Sequence, residues 1–317
     1  MTGTGQTIYL HIGRGKTGTT ALQRALTGAR SALLQRGIYY PEAAGGARGA
    51  GHDGFAKACI DEVPYYMRMP ANPQAAAQAM RDELDRAQVP AVLISAENLE
   101  LANPDRVRMF FDDIWPDANF RIILYVRSQD ELAEAEYNQL VKLGRSSQSF
   151  AKFADHEFQG DFLSLADRWE TVFGVGTVQA HVYDAARPCV VAQLLASLGL
   201  DGDGAGWLET ERTNSSVGIR ALTAIRLLSM LALPDADALS ARIVQGFDGR
   251  DTPALYLDAD AAACFRARFA ASNRAFARRF LRPDPTGPDG DLGGRRRTDQ
   301  DREAIVEQIR RLGLAGV

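Results

Sequence analysis

The chain has 317 residues, 46% of them hydrophobic and 24% charged, enough to bury a sizeable core as one large or two small domains. Lys and Arg total 36 against 40 Asp and Glu, a formal net charge of −4 that argues against a nucleic-acid-binding surface. Cys59, Cys189 and Cys264 lie far apart, suggesting neither a disulfide framework nor a zinc site, and buried reduced thiols are expected.

Tyr9 to Ile12 reads as a buried strand that breaks at Gly13 and turns into a helix through Arg14-Gly15-Lys16-Thr17-Gly18-Thr19-Thr20. Leu22, Leu26, Ala29 and Leu33 recur at spacings of four, three and four, giving that helix one apolar face, and Gly37 ends it. Ile38 to Tyr40 is a short strand before Pro41, and residues 42–54 form a glycine- and alanine-rich loop containing His52. An alanine-rich helix is predicted over 73–88. Ala91 to Ile94 is a continuous apolar run of the kind found in parallel strands buried on both faces, with Ser95 to Glu100 at its end. Asn103 and Pro104 mark an N-cap and first helical position for a helix to about Trp115. Phe120 to Val126 is the strongest strand signal and runs straight into Arg127-Ser128. Helices are predicted over about 129–143 and 161–172, and a last strand over Thr177 to Tyr183.

Beyond residue 188 the pattern is mainly helical, with a long helix over 259–280. Residues 283–300, rich in Pro, Gly, Asp and Arg, read as a linker before a final helix over about 301–312. The expected organisation is an α/β core over 1–185, a helical part of the same domain over 186–282, and a linker with C-terminal helix over 283–317. Helices alternating with short strands imply a parallel, right-handed sheet. The N-terminus shows no basic segment followed by an apolar run, and no stretch approaches 18 uninterrupted apolar residues, so a soluble cytoplasmic protein is expected.

In open parallel sheets ligands bind outside the carboxyl ends of the strands. Four polar features fall there: the Gly13–Thr20 loop, His52, Glu97 and Arg127-Ser128. Glycines allow positive φ angles and close approach to a ligand, and the following helix opens on unpaired N–H groups with a partial positive charge, which together suit a phosphate. Lys16 can reach a terminal oxygen, while Thr17, Thr19 and Thr20 add hydroxyls. A Walker A frame fails, because its first glycine would fall at Leu10.

A K-T-G-T-T loop directly after the first strand instead resembles the 5′-phosphosulfate loop of sulfotransferases that use 3′-phosphoadenosine 5′-phosphosulfate (PAPS). An apolar strand ending in Arg127 resembles the family's 3′-phosphate motif, whose pattern continues with a serine eight residues on and a tyrosine two further. Tyr137 is in place, but Ala135 occupies the serine position, so Ser128 or Arg145-Ser146-Ser147 is left to supply a hydroxyl. The resemblance implies a nucleotide-kinase-like P-loop sheet flanked by helices with a helical C-terminal extension. It also implies cofactor contacts from Arg14, Gly15, Lys16, Thr17, Gly18, Thr19, Thr20, Arg127 and Ser128, with Asn214 and Ser215 near the cofactor, and Lys16 bridging toward the leaving oxygen. His52 is similar to the family's loop histidine base and Glu97 to the glutamate of carbohydrate-type members. The implied partner is a hydroxyl-bearing acceptor, carbohydrate or small molecule, with no metal.

Plainer readings stand beside these: a strand-to-helix turn without a ligand, a surface Arg127, a solvated His52, a helix-terminal Glu97, and simple capping by Asn214 or Ser215. Two other functions fit the same features. One is a phosphotransferase or NTPase, which requires Mg²⁺ ligands and a Walker A frame; the other is a non-catalytic binder of adenosine 3′,5′-bisphosphate.

Overall fold

The computed structural model describes residues 5–45, 50–183, 190–203, 206–208, 217–231, 236–247 and 254–281, together with Leu292 and Glu303. Its described elements run β1 (Thr7–His11), α1 (Thr19–Gly28), α2 (Arg30–Gln35), β2 (Ile38–Tyr39), α3 (Asp53–Ala58), α4 (Pro73–Leu84), β3 (Ala91–Ser95), α5 (Pro104–Asp112) and β4 (Asn119–Val126). They continue with α6 (Gln129–Lys142), α7 (Phe150–His156), α8 (Phe162–Phe173), β5 (Val178–Val182), α9 (Val190–Ser197), α10 (Ile219–Met230), α11 (Ala236–Phe247), α12 (Ala259–Ala267) and α13 (Ala270–Phe280).

The five strands form one sheet of order β2-β3-β1-β4-β5, and every neighbouring pair is parallel. The chain is therefore an α/β protein with a parallel sheet flanked by helices. Side chains alternate across the pleat. Leu93, Ile123 and Tyr125 pack with Leu22, Leu26 and Leu33 of α1 and α2 and with Leu194 and Leu195 of α9. Ile8, Leu10, Val92, Ile94, Ile122 and Leu124, the alternate positions, are buried too. α5 and α8 lie on the sheet through Phe120, whose ring stands 5.9 Å from Phe111 and 4.7 Å from Phe173.

The chain separates into two compact units, with boundaries at Arg127/Ser128, Asp161/Phe162 and Arg274/Ala275. The sheet with α1–α5, α8 and α9 belongs to the first. The second is organised by α6: buried Glu134 accepts from the N–H groups of Tyr256 and Leu257 at 2.7 and 3.0 Å, and Tyr137 packs against Phe150 and Tyr256. Gln129 and Asn273, both buried, exchange amide hydrogen bonds at 2.7 and 3.2 Å.

Several boundaries differ from the sequence expectation. The first predicted helix is two, meeting at Ala29, and the predicted helix 259–280 is interrupted at Arg268-Phe269. α3 starts inside the expected loop, and α7 was not anticipated. Cys59 is buried as expected, but Cys264 is exposed. Cys189, Asn214, Ser215 and nearly all of 283–317 lie outside the described residues.

Candidate functional site

Strand order decides what surrounds the loop after β1. Because β1 lies between β3 and β4, the segments leaving those two strands flank the loop on either side. In this register His11 pairs with Ser95 on one side and Ile123 on the other. Glu97 comes two residues past Ser95, while β4 runs on to Val126, which carries Arg127 forward to the level of the loop.

The loop does not use its glycines alike. Gly18 takes φ 80° as the N-cap of α1, and the second left-handed residue is Lys16 at φ 66° rather than Gly13 or Gly15. Gly13 is required by close approach, since a Cβ there would stand 2.3 Å from His11 Nε2 and 2.8 Å from the Thr19 methyl. Gly15 faces Glu97, whose Oε2 would be 3.8 Å from an added Cβ. Among the described residues no side chain caps α1, so its N-terminal positive potential faces the loop.

The predicted residues divide into those that meet at this loop and those that do not. Arg127 donates from Nη1 to the Lys16 carbonyl at 3.1 Å, and its guanidinium lies 5.6 Å from the centroid of the Tyr183 ring. Glu97 accepts from the Thr19 hydroxyl and, at 3.3 Å, from the Thr20 hydroxyl, both on one carboxylate oxygen. Thr17 instead turns inward and donates to the Arg14 carbonyl at 2.6 Å.

Arg14 is buried, and its guanidinium pairs with Glu100 at 3.3 Å. Ser128 belongs to the second unit, where its hydroxyl donates to Asp130, itself paired with Arg266 at 3.0 Å.

His52 corrects the expectation most. It is 1% exposed, its Nδ1 accepts from the Ser95 N–H at 3.0 Å, and its Nε2 therefore carries the hydrogen and donates to the Pro41 carbonyl at 3.0 Å. Burial drives its pKa from 6.5 to about 4. A ring with both nitrogens engaged presents no atom to an acceptor hydroxyl. It staples the end of β3 to the segment after β2, an effect reinforced by its own N–H donating to the Ser95 carbonyl at 2.8 Å.

Around Ser95 lies a polar cluster that the sequence pattern did not expose. His11 Nδ1 is 2.8 Å from the Ser95 hydroxyl, and Gln23 donates to the same oxygen at 3.3 Å. His11 is fully buried, and burial followed by the nearby His181 lowers its pKa to about 3. Its other nitrogen, beneath Gly13, has no hydrogen-bond partner among the described residues. Asp53, at the start of α3, feels the Glu97 charge: its carboxyl is held above the usual range by burial first and that charge second. The one signal for His11 was its place directly before the loop; Gln23 and Asp53 carried none.

A groove lined by Thr7, Arg108, Asn119, Arg121 and Thr177 lies at the opposite, amino-terminal edge of the sheet and holds none of the predicted residues. Among the described residues no three His, Cys, Asp or Glu side chains are grouped to hold a metal, and no helix is long and apolar enough to cross a membrane.

No family model matches the sequence, and no curated protein matches it at a significant level. Among solved structures, the chain is similar to the crystal structure of a sulfotransferase from Alicyclobacillus acidocaldarius. The two share 20% identity and a TM-score of 0.41, over 77% of this chain and 96% of the other.

Proposed function

We propose that this protein is a PAPS-dependent sulfotransferase that moves the sulfuryl group to a hydroxyl of a carbohydrate or small molecule. The observation that carries this reading is the placement of a carboxylate, Glu97, and a guanidinium, Arg127, on opposite flanks of one K-T-G-T-T loop at the carboxyl edge of the sheet. The loop and the N-terminus of α1 suit the 5′-phosphate, with Lys16 toward the bridging oxygen. Arg127 has the planar donor fork that a separate phosphate requires, and Tyr183 holds that fork from below.

Glu97 takes the acceptor's proton, the acceptor oxygen attacks sulfur in line, and the bond from sulfur to the 5′-phosphate oxygen breaks, releasing adenosine 3′,5′-bisphosphate. Positioning and charge neutralisation supply most of the rate in such a transfer. His52 is left a supporting part, holding Ser95 and through it the start of the Glu97 turn.

The test is transfer of label from ³⁵S-PAPS to an array of carbohydrate and small-molecule alcohols. The reading expects labelled product from wild type, with turnover lowered about 10²-fold or more in Glu97→Gln, the usual range for loss of a general base. Phosphoryl transfer from Mg²⁺·ATP to the same array, with no sulfuryl transfer, would replace it by the kinase reading.

A further inference from the structure

An acidic side chain beside an anion-binding loop is an electrostatic contradiction unless it has a task there. Glu97 is not merely near the loop. One of its oxygens receives the Thr19 and Thr20 hydroxyls, and the other faces Gly15. These hydroxyls stand on the first turn of α1, whose N-terminus no described side chain caps. The carboxylate thus holds two hydroxyl donors at the positive end of the helix dipole, where a bound phosphate would sit. Asp53, raised in pKa by burial and then by the Glu97 charge, is a second acidic group near enough to feel it.

We infer that Glu97 is the resident anion of this loop, holding its donors in the ligand-free protein and giving them up only to a ligand that carries a 5′-phosphate. This deepens the reading of the loop as a phosphate site and rests on it. Two consequences follow from the exchange. A phosphate with more charge and more acceptor oxygens than a carboxylate displaces Glu97, whereas a weakly charged ligand does not, so the residue sets a threshold for entry. Once displaced, Glu97 loses both threonine donors together and becomes free to accept a proton from another hydroxyl. Base and nucleotide are thereby coupled: the carboxylate is released to an acceptor only when the group to be transferred is in place.

The signature is an inversion that an ordinary ligand-binding or base residue does not produce. Removing Glu97 improves nucleotide affinity. The experiment is calorimetric titration of adenosine 3′,5′-bisphosphate, adenosine 5′-monophosphate and adenosine 3′-monophosphate into wild type, Glu97→Gln and Glu97→Ala, with thermal melts to establish folding. Both variants are expected to bind the two 5′-phosphorylated ligands about tenfold more tightly than wild type, roughly the strength of one charge-assisted hydrogen bond no longer contested. Adenosine 3′-monophosphate should change less than about twofold, since its phosphate does not meet the loop. If one variant fails to fold, the other carries the test alone. Unchanged or weaker binding of the 5′-phosphorylated ligands overturns the inference while leaving the phosphate site standing. So does an equal gain for adenosine 3′-monophosphate, which would make Glu97 a diffuse repulsive charge and not an occupant. Absence of binding by any nucleotide to any of the three proteins overturns the site reading itself, and the inference with it.

Discussion

Arg127 Nη1 donates to the Lys16 carbonyl at 3.1 Å, which ties the end of β4 to the middle of the loop that leaves β1. The bond gives Arg127 two duties. It braces a residue held at φ 66°, an uncommon backbone state for a lysine, and in the proposed site the same five-donor guanidinium meets the 3′-phosphate.

Replacing Arg127 by alanine separates those duties. Adenosine 3′,5′-bisphosphate should bind about 10- to 150-fold more weakly, as expected for losing a hydrogen bond to a charged group worth roughly 1.5–3 kcal/mol. Adenosine 5′-monophosphate should lose less, because only the brace on Lys16 affects it. Equal losses for both nucleotides, measured by calorimetry, would show that Arg127 serves the loop alone and not the 3′-phosphate.

His52 should behave as a structural residue. His52→Ala removes the acceptor of the buried Ser95 N–H and the donor to Pro41, so a stability loss of about 1–3 kcal/mol is expected in chemical denaturation. Turnover per folded molecule should stay within a few-fold of wild type. A His52 variant that folds fully yet loses about 10²-fold in kcat would return the base to this histidine.

Acid should destabilise the protein earlier than carboxylate titration alone would. His11 and His52 have folded pKa values of about 3 and about 4, both below the ordinary 6.5. Between those limits the unfolded chain binds protons that the folded chain refuses, so stability rises with pH. The contribution is complete above pH 6.5 and is lost as pH falls toward 4, at a slope approaching about 1.4 kcal/mol per pH unit for each histidine. Asp53, raised in the folded state, acts with the opposite sign and only blunts the effect. Denaturation midpoints recorded from pH 7 to pH 5 should fall steadily, and less steeply in His52→Gln. A flat profile over that range contradicts the buried, neutral state of these rings.

The strands and the loop were legible in the sequence because their signals are local. Ala91 to Ile94 and Phe120 to Val126 are uninterrupted apolar runs, and Asn103-Pro104 caps α5 as expected, with the Asn103 side chain accepting from the Asp105 N–H at 2.9 Å. Glu97 and Arg127 could be placed because Arg127 directly follows such a run and Glu97 comes three residues after one. What failed was decided by long-range packing. His52 in Gly-His-Asp-Gly looks like an exposed loop residue, yet it is buried, packed against Tyr40 and bonded to Ser95 and Pro41. Arg14 sits inside the motif, yet its charge is claimed by Glu100, 86 positions away in the chain, and lies 5.9 Å from the Phe162 ring centroid. The glycine pattern suggested positive φ at Gly13, where the need is room for His11; no local rule distinguishes those two uses of glycine.

The loop and Arg127 together form the proposed site for PAPS and its desulfated product. Its most direct test is titration of adenosine 3′,5′-bisphosphate into the wild-type protein in excess chelator, beside ATP with and without Mg²⁺. Saturable binding of the bisphosphate without metal, tighter than that of ATP under either condition and lost in Lys16→Ala, is the predicted result. Binding that appears only with Mg²⁺ and ATP would contradict the account.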